Sequence, residues 1–259
     1  MKRLLALVAL VGGVAITAPN QASAQIPLGD TGLTATVTGT YASDYLFRGI
    51  SQTRSRMAYQ ATGEVEHSSG VYVGAFISNV RFAGLDARQE IDVFGGYRFT
   101  AFDTKFDFGV IGYLYPGYSP APGAVTALDF FEAYVKVSHE VGPVTLLGTL
   151  AGSPSFFGNS GTAIYIEGGA DWKTGVWDLT LGGRLGYQWI ENNRLFGTPD
   201  YAWWSISLTR EFPIERVGTL VASVGYYQTS ISEGRCVPLA NGGQDICGAR
   251  ALGSIALRF

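Results

Sequence analysis

From residue 25 onward, apolar residues alternate with polar or very small ones, in stretches of about ten residues. A period of two is the signature of a strand with two different faces. The clearest stretch runs from Trp177 to Trp189: Trp177, Leu179, Leu181, Gly183, Leu185, Tyr187 and Trp189 share one parity, while Asp178, Thr180, Gly182, Arg184, Gly186 and Gln188 share the other. Strands in soluble sandwiches usually stop after about 5 or 6 residues. A longer strand, apolar on one face and charged on the other, suits a wall between lipid and water.

The same alternation predicts twelve strands, at about 33–48, 56–68, 70–80, 88–100, 103–115, 127–139, 142–152, 161–172, 175–190, 200–210, 217–229 and 248–259. Their connections alternate in length. Short turns fall near 69–70, 101–102, 141–142, 173–174 and 212–216, and longer ones at 49–55, 81–87, 116–126, 152–160, 191–199 and 230–246. An even number of strands joined alternately by short turns and long loops predicts an all-β fold, a transmembrane antiparallel up-and-down β-barrel of about twelve strands. Its short turns would lie in the periplasm and its long loops outside the cell.

Charges fix which parity faces inward, because Arg or Lys at the lipid midplane costs roughly 2 to 4 kcal/mol whereas a wet bore accepts it. The predicted interior carries Asp44, Glu64, Glu66, Glu90, Asp92, Asp107, Glu132, Glu167, Asp171 and Asp178 against Arg48, Arg98, Lys105, Lys136, Lys173, Arg184, Arg250 and Arg258. The signs nearly balance, so no strong ion selectivity is expected. The other parity places Tyr97, Phe99, Phe106, Trp172, Trp177 and Phe259 at the periplasmic rim, and Tyr45, Phe47, Trp189, Trp204 and Tyr226 toward the external rim. Two such belts are expected at the headgroup level, where a ring with a polar tip is best solvated.

The N-terminus predicts export. Lys2 and Arg3 precede the apolar run Leu4 to Thr17, and Ala22-Ser23-Ala24 offers a small-x-small cleavage site, so residues 1–24 are expected to leave as a signal peptide and the mature chain to start at Gln25. That run is shorter than the roughly 20 residues a spanning helix needs. Its removal takes two basic residues and no acidic one, moving the formal charge from −3 to −5. An acidic exported chain has no electrostatic case for nucleic acid. Composition agrees: 15% charged residues, 13% aromatic residues and 35 glycines describe a surface built for a non-aqueous solvent. The chain ends on an alternating strand with Phe259 last, Ser254 five residues before it and Gly253 beside that. A terminal aromatic of this kind is expected to be read by the outer-membrane assembly machinery.

Ser43-Asp44-Tyr45-Leu46-Phe47-Arg48-Gly49-Ile50-Ser51-Gln52, then Ala58 and Glu66-His67-Ser68-Ser69-Gly70-Val71-Tyr72-Val73-Gly74, resemble the opening of the TorF porin family, also called Gcw_chp. Gly95-Gly96-Tyr97, Tyr113-Leu114-Tyr115-Pro116 and Glu132 resemble its later blocks. The resemblance is specific to about residue 136; beyond it only the barrel pattern continues. It implies an outer-membrane barrel that acts as a porin in a Gram-negative bacterium.

The expected function is passive diffusion of small hydrophilic solutes or ions, with Asp44, Arg48, Glu64, Glu90, Asp92, Arg98, Glu132, Lys136 and Arg184 lining or constricting the pore. The alternative is a non-conducting structural or ligand-binding barrel. Asp44 and Arg48, four apart on one parity, are read either as a constriction or solute-contact pair or, structurally, as an ion pair with each other or as partners for neighbouring strands. Glu64 with Glu66, and Glu90 with Asp92, share a face and fit either a cation or, better, Arg and Lys across the strands. Catalysis is not expected: the only histidines, His67 and His139, lie at periplasmic strand ends, far from the loops. No cofactor motif or metal set is present in the sequence. Cys236 and Cys247, the only cysteines, share the longest loop and are expected to form a disulfide in an oxidising compartment.

Overall fold

The computed structural model describes residues 25–82, 84–120, 127–236 and 244–259. The expected signal peptide, residues 1–24, lies outside them. Twelve antiparallel strands close into one barrel: β1 Leu33–Ala42, β2 Ala58–His67, β3 Val71–Asn79, β4 Gln89–Ala101, β5 Thr104–Leu114, β6 Phe130–Val141, β7 Val144–Ser153, β8 Ala163–Lys173, β9 Leu179–Ile190, β10 Tyr201–Ile214, β11 Gly218–Thr229 and β12 Arg250–Arg258. Each pairs with its sequence neighbours, and β12 returns to β1 in the register Ser254↔Ala42 to Arg258↔Thr38. The seam continues past the strand end, where Phe259 and Val37 exchange backbone hydrogen bonds of 2.8 and 3.2 Å. On the same edge of β1, Ile26–Pro27 pairs with Ala35 and Thr34. Closure leaves the sheet without an open edge, which a backbone in hydrocarbon requires.

The two parities separate as the alternation predicts. Val73, Val93, Val110, Leu150, Ile166, Leu185, Ile206, Val224 and Ile255 are exposed on the outside, while Glu64, Glu90, Asp92, Asp107, Glu132, Asp171 and Arg184 are buried within. Outward apolar residues left bare to this extent form an apolar band around the wall. Glycine sets the inner shape at two places. Gly96 and Gly109 face inward on β4 and β5, where a Cβ would strike the phenols of Tyr72 and Tyr134, so these two large rings lie flat against the wall.

Two strands fall short of the sequence pattern by four residues or more. β1 stops at Ala42 instead of continuing to 48, because residues 43–57 turn into the barrel mouth. Tyr45 and Phe47, expected on the lipid-facing external rim, therefore point inward, and Tyr45 is fully buried. β9 starts at Leu179, since Trp177 and Asp178 adopt φ of 51° and 54°, the left-handed region of a turn. Asp178 is accordingly exposed in a short turn rather than lining the bore. In the opposite sense, β10 runs on to Ile214 and brings Glu211 inside, where Arg258 donates to it at 3.2 and 3.3 Å.

Candidate functional site in the lumen

The inturned segment is a small hairpin. Leu46–Phe47 pairs with Ile50–Ser51 across Arg48 and Gly49, whose φ values of 49° and 82° give the two positive angles of a type I′ turn. Asp44 ties its base: its Oδ1 accepts from the Tyr45 amide at 2.8 Å and from the hydroxyls of Ser51 and Thr53, each at 2.6 Å. Arg250 at the start of β12 donates to the other oxygen at 3.1 Å. The Tyr45 phenol donates to Glu90 Oε1 at 2.5 Å, and Tyr115 donates to Oε2 of the same carboxylate at 2.6 Å. Burial first, then the Glu90 charge, push the Tyr45 phenol well above its ordinary pKa, so it stays a donor.

At the tip, Arg48 crosses the lumen. Its Nη1 and Nη2 donate to Glu132 on β6 at 3.0 and 2.6 Å, and Nη1 also donates to Gln188 Oε1 on β9 at 2.5 Å. The guanidinium lies 3.8 Å from the ring centre of Tyr165 and 4.7 Å from that of Phe47. Burial pulls its pKa down, but Glu132 and the neighbouring phenols outweigh burial and raise it, so Arg48 remains charged. Asp44 and Arg48 are thus not a pair on one strand face. They are the base and tip of a hairpin, each with its own partner in the wall.

Deeper in the bore, Arg98 gathers three carboxylates: Glu64 through two bonds of 2.6 and 2.8 Å, Glu66 at 2.6 Å and Asp107 at 3.3 Å, with the Tyr72 ring 3.6 Å from its guanidinium. The Glu64–Glu66 pair therefore meets an arginine, as the cross-strand alternative predicts. Lys136 lies over the Tyr134 ring at 4.3 Å. Arg184 grips Asp171 through two bonds of 2.8 Å. Asp92 is fully buried beside Glu90, yet neither of its oxygens has a hydrogen-bond partner among the described residues. No cluster of three or more His, Cys, Asp or Glu suited to a metal ion occurs among the described residues. The opposite wall is plainer, with Thr38, Thr209, Ser223 and Ser254 facing in from β1 and β10–β12.

Above the hairpin, loop aromatics make a cap. Phe47, Phe82, Tyr115, Phe130, Phe156, Phe157 and Phe196 surround a pocket of about 490 Å³, its open mouth included. Cys236 and Cys247 are joined by a disulfide, their Cα atoms 5.9 Å apart. The adjoining Ile246 carbonyl accepts from the Ser51 amide at 2.9 Å, and Gln244 brackets Arg54 with bonds of 3.2 and 3.1 Å. Residues 244–246 thus rest on residues 51–54 of the inturned segment. Both histidines sit at the short-turn end, His67 against Ser69 Oγ at 2.8 Å and His139 against Thr104 Oγ1 at 3.0 Å.

The sequence places Tyr113, Tyr165 and Gln188 on the inward parity without marking them as partners of Arg48 or Glu132, and it puts Tyr45 on the outer rim. Gln188 stood on the charged parity of its strand, and the Arg48-Gly49 step was the available sign of a hairpin turn.

The description "Bacterial protein of unknown function (Gcw_chp)" belongs to a family model that matches residues 25–252. No curated protein matches the sequence. Among solved structures, the KdgM porin in complex with disordered oligogalacturonate superposes with a TM-score of 0.53 at 7% identity, covering 86% of this chain and 98% of that one. The KdgM porin alone gives 0.52 at 8% identity, with the same coverage. The NanC porin gives 0.52 at 11% identity, covering 87% of this chain and 98% of that one. At these identities the likeness is one of fold: the barrel is built like these porins.

Proposed function

Because the chain belongs to the Gcw_chp family of bacterial proteins, whose function is not assigned, we propose its role from its geometry: an outer-membrane channel through which small hydrophilic solutes or ions diffuse. One observation carries the reading, a closed barrel that is apolar outside and charged inside. The outer band fits hydrocarbon, and ionised side chains are tolerated within the wall, where they meet water or opposite charges, but not on the lipid side. The likeness of residues 43–74 to TorF porins supports it, as does a barrel of this fold that has been solved with oligogalacturonate, itself a small hydrophilic solute. In this reading residues 1–24 direct export, Phe259 addresses the assembly machinery, the short turns face the periplasm and the loops face outward.

The inturned hairpin sets the state of the channel. Twelve strands enclose a bore between the side-chain-filled barrels of about 8 strands and the open ones of 16 to 18. Residues 43–57 together with the aromatic cap occupy its loop end, so conduction requires the hairpin to shift. The same observation favours a second reading, a barrel that stays shut. Single-channel recording in planar bilayers separates the two. We expect sparse current steps from the wild type and more frequent ones from Arg48→Ala. Silence from both, with the barrel folded, overturns the channel and leaves the shut barrel.

A further inference from the structure

Arg48 belongs to the plug, but what grips its guanidinium belongs to the wall. Glu132 and Gln188 are 2% and 0% exposed, and both are held by groups other than Arg48. Tyr113 donates to Glu132 Oε2 at 3.1 Å. The Gln188 amide nitrogen donates to the carbonyls of Ile164 and Trp189 at 3.2 and 3.0 Å, which turns its Oε1 toward the lumen as a pure acceptor. Tyr165 donates to Glu167 at 2.5 Å and accepts from the Trp203 indole at 3.1 Å, which fixes its ring face. The wall therefore presents a carboxylate, an amide oxygen and an aromatic face already in position. Close by, Asp92 is fully buried with both oxygens unpartnered among the described residues, a further acceptor for positive charge.

This set matches one chemistry. A fork of two carboxylate oxygens accepts a planar guanidinium bidentately, and a ring face attracts the same cation. A divalent metal would ask for more oxygens than are gathered here. We infer that the lumen wall holds a binding site for the guanidinium or alkylammonium group of a cationic solute, and that Arg48 fills it as an internal ligand that keeps the hairpin in place. For a channel this names the solute class, and in that respect it rests on the reading above; binding itself does not require conduction.

The test is calorimetric, on the full chain in lipid nanodiscs, with methylguanidine as probe and methylurea, its neutral counterpart of similar shape, as control. Arg48→Ala vacates the cradle, so it should bind methylguanidine about tenfold or more tighter than the wild type, whose own arginine competes. Methylurea should not bind. Adding Glu132→Gln to Arg48→Ala should abolish the gain, and so should adding Tyr165→Leu, which serves if the first double variant does not fold. Heat-modified gel mobility checks the barrel. Equal binding by Arg48→Ala and the double variants, or none by Arg48→Ala, overturns the inference. A silent bilayer with intact methylguanidine binding sinks the channel reading alone, and normal current with no binding sinks only the site.

Discussion

Arg48 and Glu132, 84 residues apart in the chain, meet inside the barrel through two hydrogen bonds of 3.0 and 2.6 Å, and this pair joins the tip of the inturned hairpin to a barrel strand. Both groups are nearly removed from water. Breaking such a pair by changing one partner leaves the other charge buried, at a cost of about 3 kcal/mol or more. If conduction shifts the hairpin, as the channel reading requires, its arginine rehydrates and that cost falls on closure of the hairpin rather than on the barrel. We expect Glu132→Gln to speed hydrogen exchange at the Ser51 and Gln52 amides, which bond to Ile246 and Tyr45, while strand amides stay protected. Unchanged exchange at both amides would mean that the pair does not hold the hairpin.

The disulfide acts on the same hairpin from above. Cys247 follows Ile246, whose carbonyl holds Ser51, and the Cys247 carbonyl in turn accepts from Thr229 on β11 at 2.8 Å. Closing a loop of this size stabilises by about 2 to 3 kcal/mol in the chain-entropy account. Reduction with a phosphine, or replacement of both cysteines by alanine, should loosen residues 244–247 and then residues 43–55. The expected signs are faster exchange at Ser51 and longer open times in bilayers, with the heat-modified mobility of the barrel unchanged. Identical traces before and after verified reduction would separate the disulfide from the plug.

How far the sequence reveals this protein follows from which forces are local. Strand positions and facing are legible because lipid on one side and water on the other impose a period of two along every strand, so Leu185 and Arg184 announce their sides without reference to the rest of the fold. The hairpin breaks that logic. Asp44, Tyr45, Phe47 and Arg48 continue the alternation of β1, and apart from the Arg48-Gly49 step nothing local says that the chain leaves the sheet at Ala42. What turns it inward is distant: Glu90, Glu132 and Gln188 lie on other strands, and their pull depends on a closed barrel. Trp177 and Asp178 mislead for a related reason, since a left-handed turn can carry residues that fit the parity. The candidate lining residues Glu64, Arg98 and Arg184 were readable as inward charges, and a cross-strand Arg or Lys for Glu64 and Glu66 was expected, but which residue meets which was not.

Tyr45 gives the plug a dependence on alkaline pH. Its phenol is neutral and donates to Glu90 in the closed state, where burial and that carboxylate hold its pKa above the ordinary value. A raised pKa in the closed state means that the contribution is fully present below about pH 10, the ordinary phenol value, and declines as pH rises through the raised one. Above that point the released hairpin gains by ionising its tyrosine. We expect open probability to begin to rise above about pH 10, the ordinary phenol value, and to go on rising toward the raised one. Tyr45→Phe loses the bond to Glu90, about 1.5 to 3 kcal/mol for a charged acceptor, and should open more at neutral pH with a flatter alkaline rise. A flat profile in the wild type would show that Tyr45 does not hold the plug.

The sidedness of the wall is itself open to measurement. Leu185 lies midway along β9 and is exposed on the outer band, whereas Thr62 lies midway along β2 and faces the bore. An arginine in lipid at mid-depth costs roughly 2 to 4 kcal/mol, because it must be drawn to the interface or bring water with it. A lysine in the bore keeps its water and meets carboxylates across the lumen. Leu185→Arg should therefore lower the unfolding free energy of the refolded protein in vesicles, read from its urea curve, by about that cost. Thr62→Lys should stay within about 1 kcal/mol of the wild type. Equal losses for the two would mean that the outer band does not meet hydrocarbon, and a barrel whose exposed leucines face water has no membrane in which to conduct.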